Sequence, residues 1–210
     1  MISSPETLSA ATVHLEKQDP LLAGLISRFG PCDIVPHTNY YQELVSSIIS
    51  QQLSVKAASS IQKRFVALFG GQDIPPPDLI LTKTVEDFRS VGLSRGKSAY
   101  VIDLAQHVLD GRLDFDDLGP KTNQQIIEML TAVKGVGVWT AHMFLMFSVG
   151  RLDILPVGDL GIKNAVQKLY DLDHQPTPAE IENIAEKNNW HPYETVACWY
   201  LWKSLDNKPK

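Results

Sequence analysis

Between Val133 and Phe144 the chain reads VKGVGVWTAHMF, with two glycines one residue apart between two stretches of helical periodicity. Thr122–Val133 reads as one helix and Gly137–Phe147 as the next, so the KGVG link is too short for anything but a tight hairpin. Glycine opens backbone conformations with positive φ and removes the Cβ that keeps a bulky partner away from the main chain. The second helix starts with N–H groups that lack intrahelical acceptors, which is the ordinary basis of an anion site. The plainer alternative is an αα-corner with a glycine C-cap. Hence the hairpin requires either a very close helix turn or a ligand, such as a phosphate diester, brought against the backbone.

The rest of the chain repeats the helical pattern. Leu44, Val45, Ile48 and Ile49 form one apolar stripe, Ala57, Ile61, Phe65 and Leu68 a second, and Val101, Leu104, Ala105 and Val108 a third. TNQQ at Thr122–Gln125 is a capping box, and TPAE at Thr177–Glu180 combines one with proline at the first helical position. The breakers GGQDIPPP and GRLDFDDLGP separate segments, and no two-residue hairpin signal joins alternating strands. The expected fold class is all-α, with about eight to ten short helices. Neither an internal repeat nor a low-complexity linker is present.

Composition narrows the chemistry. With 44% apolar and 20% charged residues in 210, the chain has the make-up of a globular domain with a real core. No apolar run approaches the roughly 20 residues that span a bilayer, and the N-terminal segment lacks a signal-peptide layout. Cys32 and Cys198, the only two cysteines, are expected as buried thiols, and the six histidines show no metal-ligand spacing. A net charge of −5 argues against a broad basic surface, but not against backbone amides and a few local cations.

The longer context, LTAVKGVGVWTAHMFLMFSVGRLDILPVGDLGIKNAV, resembles the helix-hairpin-helix plus Gly/Pro/Asp signature of base-excision DNA glycosylases, and most nearly the 3-methyladenine DNA glycosylase II family. The likeness extends from about Tyr41 to Trp202, with SIISQQLSVKAASSI as a second matching block. It implies a helix-hairpin-helix glycosylase fold of two helical lobes with a DNA-binding cleft between them: residues 13–210 as the domain, the hairpin at 122–147, and residues 1–12 as a flexible arm. The 40 residues before Tyr41 are too few for the β-rich domain that some relatives carry, so the compact form is expected.

Roles follow from the resemblance. Asp159, in PVGDLGIKNAV, corresponds to the catalytic aspartate; a fixed anion stabilises the oxocarbenium-like sugar that forms as an N-glycosidic bond breaks. In isolation it is a plain N-cap aspartate. Trp139 takes the place where strand-cleaving relatives have a Schiff-base lysine, so AP-lyase activity is not expected. Trp139, Met143 and Trp202 correspond to the base pocket, Met143 replacing a tyrosine of relatives; Trp202 read alone is equally a core residue. Gln52, Leu53 and Ser54, at a helix junction, correspond to DNA contacts, with Leu53 as the wedge that fills the gap left by an extruded nucleotide. Gly135, Gly137 and Thr140 complete the DNA-binding set. Relatives hold an alkali ion on hairpin carbonyls, here those of Thr131, Val133 and Val136; no cofactor is otherwise required, though Na+ or K+ is allowed for. Lys97 and Arg95 are either phosphate contacts or a solvated helix start.

The implied activity is excision of alkylated bases, 3-methyladenine and also 7-methylguanine, from double-stranded DNA by a monomer with no membrane role, in the cytoplasm of a prokaryote or the nucleus of a eukaryote. The competing reading is a non-catalytic DNA-binding or damage-recognition protein on the same hairpin.

Overall fold

The computed structural model describes residues 2–71 and 73–205, which form twelve α-helices and one π-helical turn. In chain order the helices are α1 Pro5–Gln18, α2 Pro20–Phe29, α3 Tyr40–Ser50, α4 Val55–Ala67, α5 Pro77–Ile80, α6 Val85–Ser90, α7 Arg95–Leu109, α8 Asn123–Thr131, α9 Val138–Phe144, α10 Leu160–Leu169, α11 Pro178–Lys187 and α12 Glu194–Leu205. The only β pairing among the described residues is an isolated bridge between Ile2 and Arg151. The chain divides into two compact units, one made from the segment up to Pro36 together with the segment from Leu145 onward, the other from His37–Phe144.

The first unit is built around α12. Thr195–Cys198, Tyr200 and Leu201 are all buried, and a helix apolar on most sides can only sit inside a core. It packs against α10, α2 and α1. Asp19 anchors this unit. It is almost fully buried, yet its carboxylate accepts the N–H groups of Leu21 and Leu22 at the start of α2, the Tyr170 hydroxyl and the Trp190 indole N–H. A buried charge persists only with such a complete set of donors.

The arm expected over residues 1–12 is instead mostly helix. Ser4 caps α1 in a reciprocal capping box with Thr7, Pro5 occupies the first turn, and Leu8, Ala11 and Leu15 are buried along one face. That narrow stripe supplies the tertiary packing that an isolated helix of this length needs. Cys32 and Cys198 are both buried thiols; burial pushes Cys32 up to about 11.

The second unit holds α3–α9. Phe65 stacks on Phe88 with ring centroids 5.4 Å apart, and Phe69 packs beside both. Leu44, Ile48 and Ile49 of α3 and Val101, Leu104 and Ala105 of α7 complete the core. The capping boxes at Thr122 and Thr177 form as expected. Two differences concern boundaries. The short helices α5 and α6 raise the number above ten, because proline at the first position and a Thr84–Asp87 capping box nucleate single turns. The helix expected to run to Phe147 leaves the α register at Phe144 and becomes a π-helical turn, Leu145–Val149. Four of those five residues are buried, and a run apolar at every position but Ser148 carries no clear phase from which the change could be read.

Candidate DNA interface and carboxylate site

The hairpin forms between α8 and α9. The Val133 N–H donates to the Leu130 carbonyl, and the Val136 N–H turns back to the Val133 carbonyl. Gly135 lies at φ +80°, and a Cβ there would fall 2.1 Å from the Tyr100 ring. It is glycine for two structural reasons, backbone hand and ring contact. Gly137 differs. Its φ is not in the left-handed region, and a Cβ there would meet nothing within 4 Å. Its carbonyl accepts the Ala141 N–H, which places it at the helix start. The packing of the fold therefore does not require glycine at 137.

Beside this turn the second unit has a cavity of about 680 Å³ whose lining includes Gln51, Gln52, Lys97, Tyr100, Trp139 and Thr140. Trp139 is 53% exposed and Val138 54%, a large apolar surface at the helix start. Thr140 is 7% exposed; it sits on the packed side of α9, so its contribution to a DNA surface is confined to the edge it shows in the cavity. Met143 is half-buried. The turn between α3 and α4 carries the other three expected contacts. Gln52 adopts φ +57°, Leu53 is 38% exposed, and the Ser54 hydroxyl caps α4 by accepting the Ala57 N–H at 3.3 Å. The Gln51 side chain reaches the hairpin, its Nε2 donating to the Gly135 carbonyl at 2.8 Å.

In the first unit, Asp159 is the N-cap of α10. Its N–H donates to the Pro156 carbonyl at 2.8 Å, closing the turn that presents it. Its Oδ1 accepts two N–H groups, from Ile162 at 2.8 Å and from the Trp202 indole at 2.9 Å. Trp202 is itself held by Phe147, ring centroids 5.9 Å apart. The structure thus brings two expected residues, Asp159 and Trp202, into direct contact. Sequence reading missed Gly161: a Cβ there would lie 3.0 Å from Asp159 Oδ1 and from Trp202 Cδ1 and Nε1. No local signal marks that contact, because Trp202 is distant in the chain. Gly158, in the turn before α10, has open space around it and no left-handed φ.

Lys97 and Arg95 resolve differently from each other. Arg95 is largely exposed and pairs with Glu86 at 3.0 Å. Lys97 is turned inward, its ammonium donating to the carbonyls of Ile49 and Gln51, and burial lowers its pKa. No cluster of three or more His, Cys, Asp or Glu side chains suited to a metal ion occurs among the described residues.

The helix-hairpin-helix and the aspartate that opens a helix in LPVGDLG both lie within residues 45–190, which match the family model described as HhH-GPD superfamily base excision DNA repair protein. The chain belongs to the HhH-GPD superfamily. Within it, the chain is similar to the alkylbase DNA glycosidase-like protein mag2 of Schizosaccharomyces pombe, 31% identical over 206 residues that cover 96% of each chain. Among solved structures it is similar to a DNA-3-methyladenine glycosidase from Bacillus halodurans, with a TM-score of 0.85 and 40% identity over 98% of this chain and 91% of the other. It is also similar to the Schizosaccharomyces pombe 3-methyladenine DNA glycosylase Mag1 in complex with abasic DNA, with a TM-score of 0.79 and 31% identity over 96% and 100%. This HhH-GPD chain is accordingly a nearly all-helical helix-hairpin-helix protein of base excision repair.

Proposed function

We propose that the chain is a monofunctional DNA glycosylase that extrudes alkylated bases, 3-methyladenine and also 7-methylguanine, and hydrolyses their N-glycosidic bonds. The observation that carries this reading is the Asp159 carboxylate, fixed at the start of α10 by the Ile162 and Trp202 N–H donors. The named activities of the relatives support it. As the bond from C1′ to the base breaks, its electron pair leaves with the base, and an alkylated purine, already cationic, departs neutral without needing an acid. Positive charge is left on the sugar, where a preorganised anion lowers the barrier. Water adds to C1′ and gives up its proton, completing hydrolysis.

The exposed Trp139 supplies an aromatic face for a cationic base, worth about 0.5–2 kcal/mol, and Leu53 fills the vacated stack. Gln52 and Ser54 flank that wedge on the same turn. Gly137 admits a phosphate to the amides of α9, which reconciles DNA binding with the net charge of −5. Trp139 has no amine to form a Schiff base, so the reading includes no AP-lyase step. The carbonyls of Thr131, Val133 and Val136 lie at the end of α8 and in the hairpin, where only that of Val133 takes a turn hydrogen bond, from the Val136 N–H; such hard oxygens suit Na+ or K+, whose charge would face the phosphate. The protein is read as acting as a monomer.

The test is release of free 3-methyladenine and 7-methylguanine from methylated duplex, with borohydride trapping on abasic DNA in parallel. Release without a covalent trap is expected. Binding with no release would favour the damage-recognition reading, and an efficient trap would overturn the monofunctional one.

A further inference from the structure

Lys97, Tyr100 and Asp103 lie at three-residue steps along α7, and each meets one of the two turns assigned to DNA. Lys97 Nζ donates to the Ile49 carbonyl at 2.8 Å and the Gln51 carbonyl at 2.5 Å, at the carboxyl end of α3 immediately before Gln52, Leu53 and Ser54. A cation suits this place, since the last carbonyls of a helix have no intrahelical donors and carry its negative dipole end. The Tyr100 ring occupies the space over Gly135. Asp103 Oδ2 accepts the Lys134 N–H at 2.9 Å, and its Oδ1 lies 3.1 Å from Lys134 Nζ. Gln51 closes the circuit by donating to the Gly135 carbonyl.

Two further facts give the arrangement a purpose. Gln52 holds φ +57°, which a residue with a side chain keeps only where its surroundings enforce it. Lys97, by sequence either a phosphate contact or part of a solvated helix start, spends its donors on main-chain carbonyls. We propose that Lys97 is a positioning residue for base extrusion, holding the Leu53 turn in fixed register with the hairpin so that phosphate binding at the hairpin drives insertion of the wedge. The proposal rests on Leu53 being the wedge.

The test uses Lys97→Met, which keeps most of the stem and removes the charge. A residue that touched phosphate directly would, when removed, lower the slope of log affinity against log salt by about one; an unchanged slope on abasic duplex is expected, and a fall of one overturns the proposal. Extrusion is read by the fluorescence of 2-aminopurine stacked beside the target nucleotide, and base release by single-turnover kinetics. Each should fall about tenfold in Lys97→Met and in Leu53→Ala, and the double variant should be no worse than the weaker single, because both act on one step. Multiplicative losses overturn the proposal. Should Lys97→Met fail to fold, Gln51→Leu cuts the same circuit at its link to Gly135 and is expected to be non-additive with Leu53→Ala in the same way. Coupled fluorescence losses in a protein that releases no base would support the brace while contradicting the glycosylase reading, so the two fail separately.

Discussion

The hairpin before α9 and the start of α10 each carry two glycines, Gly135 and Gly137 at the one and Gly158 in the turn and Gly161 in the first turn of the helix at the other, and in each pair one is crowded and the other open. At the hairpin, Gly135 is crowded by Tyr100 and Gly137 is open; at the start of α10, Gly161 is crowded by Asp159 and Trp202, and Gly158 is open. The crowding differs in kind. Gly135 is held by the fold, since its left-handed φ and an aromatic ring belong to the packing of the second unit. Gly161 is held by the carboxylate site, since what a side chain there would disturb is the Asp159 carboxylate and its Trp202 donor. The open glycines also differ: Gly137 immediately precedes α9 and its carbonyl accepts the Ala141 N–H, whereas Gly158 sits in a turn closed by the bond from Asp159 N–H to the Pro156 carbonyl. Neighbouring glycines thus differ in what surrounds them: an aromatic ring of the core at Gly135, a carboxylate and its donor at Gly161, and open space at Gly137 and Gly158.

Four substitutions sharpen or break that comparison. Gly135→Ala is expected to act most strongly. A left-handed L-residue costs about 1–2 kcal/mol and overpacking against the ring about 1–3 kcal/mol, so thermal melting should fall by roughly 4–20 °C; an unchanged Tm would mean that Tyr100 moves freely. Next comes Gly161→Ala, where displacement of Trp202 and Asp159 by a few tenths of an ångström should reduce single-turnover release by about 10–100-fold with much less change in Tm. A variant that melts early and releases base normally would move Gly161 into the structural class. Gly137→Val should weaken abasic-duplex binding about tenfold, near 1.4 kcal/mol, and leave melting within about 2 °C. If instead melting falls and the folded fraction binds normally, both hairpin glycines serve only the turn. Smallest is Gly158→Ala, expected to add about 0.4–1 kcal/mol of stability by restricting the unfolded chain. A loss of activity there would show that Gly158, too, faces a ligand.

Much of this was legible in the sequence because it is local. Capping boxes at Thr122 and Thr177, the break after Val133, and an aspartate opening a helix at 159 each depend on residues within one turn. The helix α1 was not: residues 1–12 read as a flexible arm, because a polar terminal segment whose Leu8–Ala11–Leu15 stripe is so narrow resembles one until its packing is seen. What could not be read depends on distant partners. Tyr100 over Gly135, Trp202 on Asp159 and Lys97 on the α3 carbonyls join residues tens of positions apart, and nothing at either end announces the other. The two hairpin glycines, identical by sequence, separate only once their φ angles and neighbours are known.

The central claim is that Asp159 acts on charge that develops as the base departs. Asp159→Asn is the most direct test, because asparagine keeps the side-chain oxygen that accepts from Ile162 and Trp202 while removing the negative charge. Release of 3-methyladenine from methylated duplex should fall by about 10²–10³-fold or more, with affinity for an abasic duplex within about threefold of the unaltered protein. Near-normal release by Asp159→Asn, or a parallel loss of abasic-duplex binding, would contradict the account.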